Sequence, residues 1–469
     1  MGQPQKYRLM IHNDRSPHRA MLFVTFEAYT LLLHAIYVDT IAPAFYYLGY
    51  THRAPDPLSY ATICVLGGLL AALMPLALQR PSQMVLWLHF VVATAPSMLI
   101  PQYSTAISHE QAFLFGVLVA VSWCMVIFLC SGGVSVGRKL ALHRQPHVGG
   151  LVWPLLGGWS VLVLFYLFVI LRLPPQLVAL TNVAPLRLSF RVVLGQNSAV
   201  LAYALLITSN VVHPALILRG TQQSGKRYLF LGITGQILLY SITGYKMVLL
   251  SVPAILGLAW WSHRGKHYSG GHIQLGITIL MAVAYAVQLI SGYTALTLIF
   301  VTRMIVTPGL LSAAYVGIFS VKPEVRWSYS FMSWLFRYPY ADQPAYLVGA
   351  AFSGSAQTSA NVNMFADGYM NLRWAGVTIE CLVFVVILWT IDGVSKGLPL
   401  AVPAAICLVP TIALTNSSIF TSITSHGFLA AIVVLALLPR EPSVELPSSK
   451  QRRPSPVSKP THTFSRRSP

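Results

Sequence analysis

The chain has 469 residues, of which 55% are hydrophobic and only 9% charged, with a mean hydropathy of +0.64. Soluble globular domains carry about 25% charged residues, so the composition excludes a soluble enzyme. The formal charge is +19, from 31 Lys and Arg against 12 Asp and Glu. The apolar residues fall in long runs separated by short basic or Gly/Pro-rich breaks, which reads as a polytopic helical membrane protein. A β-barrel would instead alternate in segments of about ten residues. The expected fold class is therefore all-α, an integral membrane protein.

In chain order, residues 1–19 form a polar, basic start with no cleavable signal. Spans are expected at about 20–38, 59–79, 82–102, 112–130, 151–171, 198–218, 228–243, 247–261, 273–291, 374–391, 397–414 and 418–438. Most are near the ~20 residues needed to cross. That makes about twelve crossings within a transmembrane catalytic domain covering 20–438. Lys and Arg gather on alternate connections: Lys6 to Arg19, Arg80, Arg138 to Arg144, Arg219 to Arg227, Arg264 with Lys266, and Lys396. By the positive-inside rule that side is the cytoplasm, and both termini lie there. The segment 439–469 is rich in Pro, Ser and basic residues. It cannot bury a core and is expected to be a disordered cytoplasmic tail.

Two stretches fit this ladder poorly. Residues 292–320 are apolar enough to span, yet a crossing there would break the alternation. They contain Arg303 and the helix-breaking pair Pro308-Gly309, so a re-entrant or interfacial segment on the outer face is expected. The apolar run 20–50 is too long for one span, and Asp39 to Tyr50 is expected to behave similarly. The outer face then carries loops at about 172–197 and 321–373, long enough to be functional. The second holds seven aromatics from Trp327 to Tyr340, which makes it the part most like an active-site cap.

Outer-face cations are the exceptions that the positive-inside rule leaves to explain. Lys246 stands in the tight turn Gly244-Tyr245-Lys246, and Arg303 lies inside an apolar run. A guanidinium at membrane depth normally pairs with something or lines a pathway, and Arg suits bidentate contact with phosphate. Arg187, Arg191 and Arg373 are further candidates. Single cations such as Arg53, Arg172 and Lys322 more often snorkel to headgroups. Of the few outer acids, Asp367 is the best candidate for a general base; the bland alternative is a helix cap. Intramembrane Glu27 and Glu380 read as internally paired groups, or as proton relays if the chain is a transporter. The five cysteines lie in apolar runs without metal-ligand spacing, so no metal or organic cofactor is expected. No nucleotide-binding or soluble-hydrolase motif is present, and no nucleic-acid partner is implied.

An ordered set of residues carries a resemblance. It runs through Gly244-Tyr245-Lys246, Arg303 with Pro308-Gly309, Tyr315 and Phe319, then Trp327-Ser328-Tyr329-Ser330. Asn361-Val362-Asn363, Ala366-Asp367-Gly368-Tyr369 and Gly376 complete it. Together these resemble the bacterial oligosaccharide repeat unit polymerases, the Wzy-type O-antigen and capsule polymerases, most specifically over 303–376. Three positions depart from the expected pattern: Tyr245 where a small residue is expected, Arg373 where a glycine is expected, and His426 in the last span.

The resemblance implies a GT-C-type integral glycosyltransferase of the bacterial inner membrane. It would transfer a growing glycan from undecaprenyl diphosphate to the sugar end of another lipid-linked repeat unit, alongside a flippase and a chain-length regulator. On that reading Lys246 and Arg303 hold the diphosphate, and Arg187, Arg191 and Arg373 guide phosphate or glycan. Asp367 serves as base or acceptor-orienting group, Trp327 and its aromatic neighbours stack on sugars, and Asn361, Asn363 and Tyr369 contact the glycan. Two rivals remain at this level: an O-antigen ligase using the same donor, and a lipid-linked oligosaccharide transporter or flippase. The transporter predicts internal repeats, and none is visible.

Overall fold

The computed structural model describes residues 15–137, 146–196, 199–221, 225–263, 269–355 and 357–440. The expected basic tail beyond 440, most of the N-terminal segment, and the charges at 138–144, 264 and 266 lie outside the described residues. Among the described residues the protein is all-helical, with a single isolated bridge between Ala77 and Ser269.

Fifteen helices follow one another: α1 Pro17–Leu48, α2 Pro57–Leu73, α3 Pro81–Tyr103, α4 His109–Ser131, α5 Gly150–Ile170, α6 Ala184–Gly195, α7 Ala199–Gly220, α8 Lys226–Thr243, α9 Lys246–His263, α10 Gly270–Ser291, α11 Thr297–Val321, α12 Pro344–Ser353, α13 Met364–Val394, α14 Ala401–Asn416 and α15 Ile419–Leu437. Nine of these are long and apolar enough to cross a membrane: α1, α3, α4, α5, α7, α10, α11, α13 and α15. Capping chemistry sets several starts. Asp56 accepts from Ser59 N–H ahead of α2, Ser108 and Gln111 form a capping box on α4, and Asn363 caps α13.

In four of these helices an internal proline is taken up by a change of helix type. In α1, α3, α7 and α11 a π-helical segment ends two residues before Pro43, Pro96, Pro214 and Pro308. The wider turn takes up the missing N–H and the ring that would otherwise clash one turn back. This corrects two expectations. Asp39 to Leu48 continues α1 instead of re-entering, and Pro308-Gly309 does not break the chain. Thr297–Val306 is π-helical and runs directly into an α-helix, Thr307–Val321.

Internal contacts show how α11 lies. Near one face of the bundle, Arg80 and Ser82 at the start of α3 bond Asp392 at the end of α13, and Gly270 N–H bonds Leu76. At the opposite face Arg53 N–H bonds Tyr103. Thr297 starts α11 by bonding Ala284, two turns before the end of α10 at that opposite face. At its other end, Gly317 packs on Ala106 in the α3–α4 connection, and Lys322 bonds Arg373. Both ends of α11 therefore lie in the half of the bundle away from Arg80, joined by a slanted helix and not by a re-entrant loop.

The re-entrant element lies further along the chain. α13 is broken at Leu372 (φ −147°, ψ 34°) and Arg373 (φ 51°, ψ −130°). The chain reverses there so sharply that Gly368 packs on Gly376. A Cβ at Gly368 would stand 2.6 Å from the Gly376 carbonyl oxygen, and one at Gly376 would run into the Gly368 carbonyl. Only glycines allow the two arms, 364–371 and 374–394, to touch. The first arm starts deep, where Phe365 meets His89 and Trp123 at ring-centroid distances of 5.9 and 6.2 Å. The expected outer loop 321–373 therefore dips to the middle of the bundle over its last residues.

Candidate functional site

Two clusters of polar side chains lie along α11. The first surrounds Arg303. α8 ends on Gly244 in the left-handed region (φ 63°), and α9 begins at Lys246 two residues later. A Cβ on Gly244 would be 2.8 Å from Arg187 Cγ, so the turn lies directly against α6. Arg187 and Arg191 are one turn apart on that helix. The Arg187 guanidinium stacks over the Tyr245 ring at 5.7 Å, and Phe190 meets the same ring edge-on. Tyr245, which departs from the expected pattern, is thus a platform for a cation.

Arg187 lies between the other charges. Burial, and then the charges of Arg303 and Arg191, push its guanidinium below the usual arginine range. Arg187 and Arg303 also act electrostatically on Lys246. Among the described residues the only acid–base ion pairs are Arg80 with Asp392 and Arg326 with Glu324. Four cations therefore meet with no acidic partner, and Arg187 Nε is buried without a hydrogen bond. Concentrated positive charge of this kind is costly unless an anion completes it.

The second cluster surrounds Asp367 on the re-entrant arm. A cleft of about 240 Å³ is lined by Tyr315, Tyr329, Gln343, Asn361, Asp367, Ser417, Ser418, Thr421 and His426, among others. Asp367 is 4% exposed. Its Oδ1 accepts from Tyr329 Oη at 3.0 Å and its Oδ2 from Asn371 Nδ2 at 3.0 Å. Burial and the neighbouring Asp367 and Glu380 carboxyls push the Tyr329 phenol well above its ordinary range, so it remains a donor. Asn371 Oδ1 in turn accepts from Trp327 N–H at 2.6 Å, and Trp327 Nε1 donates to Glu380 Oε1 at 3.2 Å. Arg326, Trp327 and Arg373 all have positive φ. Strain in non-glycine residues clusters where the surrounding structure enforces it, and functional sites are a common place for that.

The sequence-derived candidates separate accordingly. Lys246, Arg303, Arg187 and Arg191 come together, and Asp367 and Asn361 share the cleft. Asn363 faces no substrate space. Its Oδ1 accepts from Phe365 and Ala366 N–H, and its Nδ2 donates to Ser97, Ser312 and Pro308. It anchors the re-entrant arm, because every polar atom of its amide is already used. Trp327 is buried and holds Glu380, so it offers no open face for stacking on a sugar. Arg373 belongs to neither cluster. It donates to the Lys322 carbonyl at 2.7 Å and stacks over Tyr369 at 5.5 Å, closing the chain reversal; Tyr369 is occupied in the same way and packs edge-on against Phe115. The residues missed in the sequence are Glu380 as partner of Asp367, Asn371, and the Ser417–His426 wall. Asn371 had a signal, since it follows Asp367 by one helical turn.

This arrangement defines a polytopic α-helical membrane protein with a cation cluster and a carboxyl-containing cleft on one side of the bundle. No family model, curated protein or solved structure matches the chain.

Proposed function

We propose that the protein is a membrane glycosyltransferase of the oligosaccharide repeat unit polymerase type, acting at the outer face of a bacterial inner membrane. On this reading the chain crosses twelve times, α6, α11, α12 and the arm 364–371 stay in the outer half, and both termini are cytoplasmic. The observation that carries the reading is the convergence of Lys246, Arg187, Arg191 and Arg303 without an acidic partner among the described residues. A lipid-linked diphosphate supplies the missing anion, and arginine's planar fork suits its oxygens.

Arg303 and Tyr315 stand twelve residues apart on α11, about 18 Å by helical rise. The extended Arg303 side chain, the diphosphate and the two reacting sugars have to span that gap, with the donor's diphosphate on the cations and the acceptor sugar in the cleft. As the acceptor oxygen bonds to the anomeric carbon, that carbon's bond to the diphosphate oxygen breaks. The leaving diphosphate carries the electron pair onto the cation cluster, and Asp367 takes the acceptor's hydroxyl proton. Because the leaving group is already activated, the protein supplies mainly orientation and charge stabilisation.

A transporter for the same lipid-linked sugar is the second reading. The broken α13 and its carboxyls at membrane depth favour it, because discontinuous helices and buried acids mark many transport sites. Deleting the gene in its host tests the choice. Loss of polymerase activity leaves a surface glycan capped at one repeat unit, restored by the wild-type gene and not by Arg303→Ala. Loss of all surface glycan, with lipid-linked units accumulating inside, contradicts the polymerase.

A further inference from the structure

The chain reversal at Leu372-Arg373 lays arm 364–371 antiparallel on the start of arm 374–394, bringing Asp367 and Glu380 into hydrogen-bonding contact. Two carboxyls form such a bond only with a proton between them, and the surrounding donors indicate which one carries it. Asp367 has a side-chain donor on each oxygen, from Tyr329 and Asn371. Glu380 is 0% exposed; its Oε1 accepts from the Trp327 indole, but its buried Oε2 accepts from no donor. The Ile419 backbone N–H also faces this carboxyl and favours its ionised form, the weakest of the influences on it. A buried, ionised oxygen without a donor is expensive, whereas an O–H at that atom becomes the donor to Asp367.

We propose that Glu380 is the positioning residue of the cleft: its carboxyl stays protonated and donates to Asp367, so the pair's single negative charge rests on the member that lines the cleft. The inference rests on reading Asp367 as the cleft's working carboxylate. The other titratable groups facing the pair are Tyr329 from the outer loop, Tyr315 from α11, Cys381 beside Glu380 and His426 across the cleft. Deeper on the same arms, Phe365 and Phe384 pack against His89 of α3. Neither carboxyl has an ion-pair partner among the described residues, so no cation holds Glu380 ionised. The arrangement also assigns a purpose to Trp327. Its indole occupies Oε1, which leaves Oε2 as the Glu380 oxygen without a donor.

The test uses the full-length protein in lipid nanodiscs, read by infrared difference spectroscopy of carboxyl C=O bands. The wild type is expected to show a protonated, hydrogen-bonded carboxyl band that disappears in Glu380→Gln and survives in Asp367→Asn. A band that survives in Glu380→Gln and disappears in Asp367→Asn would place the proton on Asp367 and overturn the proposal. A wild type with neither band would do the same. Glycan transfer by the same proteins separates this inference from the reading beneath it. Glu380→Gln should stay within about fivefold of wild type, because its amide N–H replaces the O–H. Glu380→Ala should lose roughly ten- to a hundredfold, and Asp367→Asn at least about a hundredfold. If Asp367→Asn transfers normally while the band pattern holds, the proton assignment stands and the catalytic role of Asp367 fails.

Discussion

The two clusters on α11 differ in what they lack. Around Arg303, four cations converge with no acidic partner among the described residues, and Arg187 Nε is buried without a hydrogen bond. Around Asp367 most of the surrounding groups are already bonded to one another, from Tyr329 and Asn371 through Trp327 to Glu380. The first cluster is incomplete until an anion arrives. The second lacks only a partner for Glu380 Oε2, which a proton shared with Asp367 would supply, and holds one carboxylate at the wall of a cleft. An unsatisfied site draws its ligand by charge, whereas a satisfied one acts by holding a group in place, and their responses to mutation should differ.

The largest effect is expected at the cations. Arg303→Ala should lower glycan transfer by about 10²–10³, as for removal of one charge-stabilising donor. Lys246→Ala should do nearly as much, and neither change should alter thermal stability. If both variants lose stability as much as activity, the cluster is structural and the contrast fails. Next come the glycines of the reversal. Gly376→Ala has no room between the arms and should destabilise the fold by about 1–3 kcal/mol, read as a lower unfolding temperature in detergent. An unchanged melting curve would show that the two arms do not touch.

Two asparagines sharpen the contrast further. Asn363→Ala removes a buried cap and strands several hydrogen-bonding groups, costing about 1–3 kcal/mol of stability. Asn361→Ala, at the exposed rim of the cleft, should leave stability alone and raise the acceptor KM about fivefold at most. The smallest effect concerns pH. Lysines and arginines keep their charge across neutrality, so donor binding should be flat between about pH 5 and 8. Burial and like charge lower the pKa of both Lys246 and Arg187, Lys246 titrating first, and a bound anion would raise them again. Binding therefore takes up a proton, and affinity should fall only at strongly alkaline pH. A decline near neutrality, measured by titration with a sugar-linked prenyl diphosphate whose own phosphates do not titrate there, would contradict a donor site built of lysine and arginine.

The sequence made the first cluster legible and the second only in part. Lys246 and Arg303 stand out because cations in turns expected on the outer face, or inside apolar runs, contradict the positive-inside pattern. Arg187 and Arg191 followed by their loop. The helical class and the ends of most long helices came from the apolar runs alone. The reversal at Leu372-Arg373 could not be read, because neither residue is a turn former and the strain is imposed by packing around them. Without that reversal Glu380 looks like a lone intramembrane acid, and Trp327 like a stacking surface. Pro308 misled for the opposite reason. Its breaking power is cancelled by a π-helical segment that leaves no mark in composition.

The central claim is tested most directly by giving the purified full-length protein a synthetic undecaprenyl-diphosphate repeat unit of the host polysaccharide and reading glycan length on a gel. The account predicts a ladder of products from the wild type that disappears in both Arg303→Ala and Lys246→Ala. A folded, inserted protein that forms no ladder, yet moves the intact lipid between the leaflets of a vesicle, would contradict it.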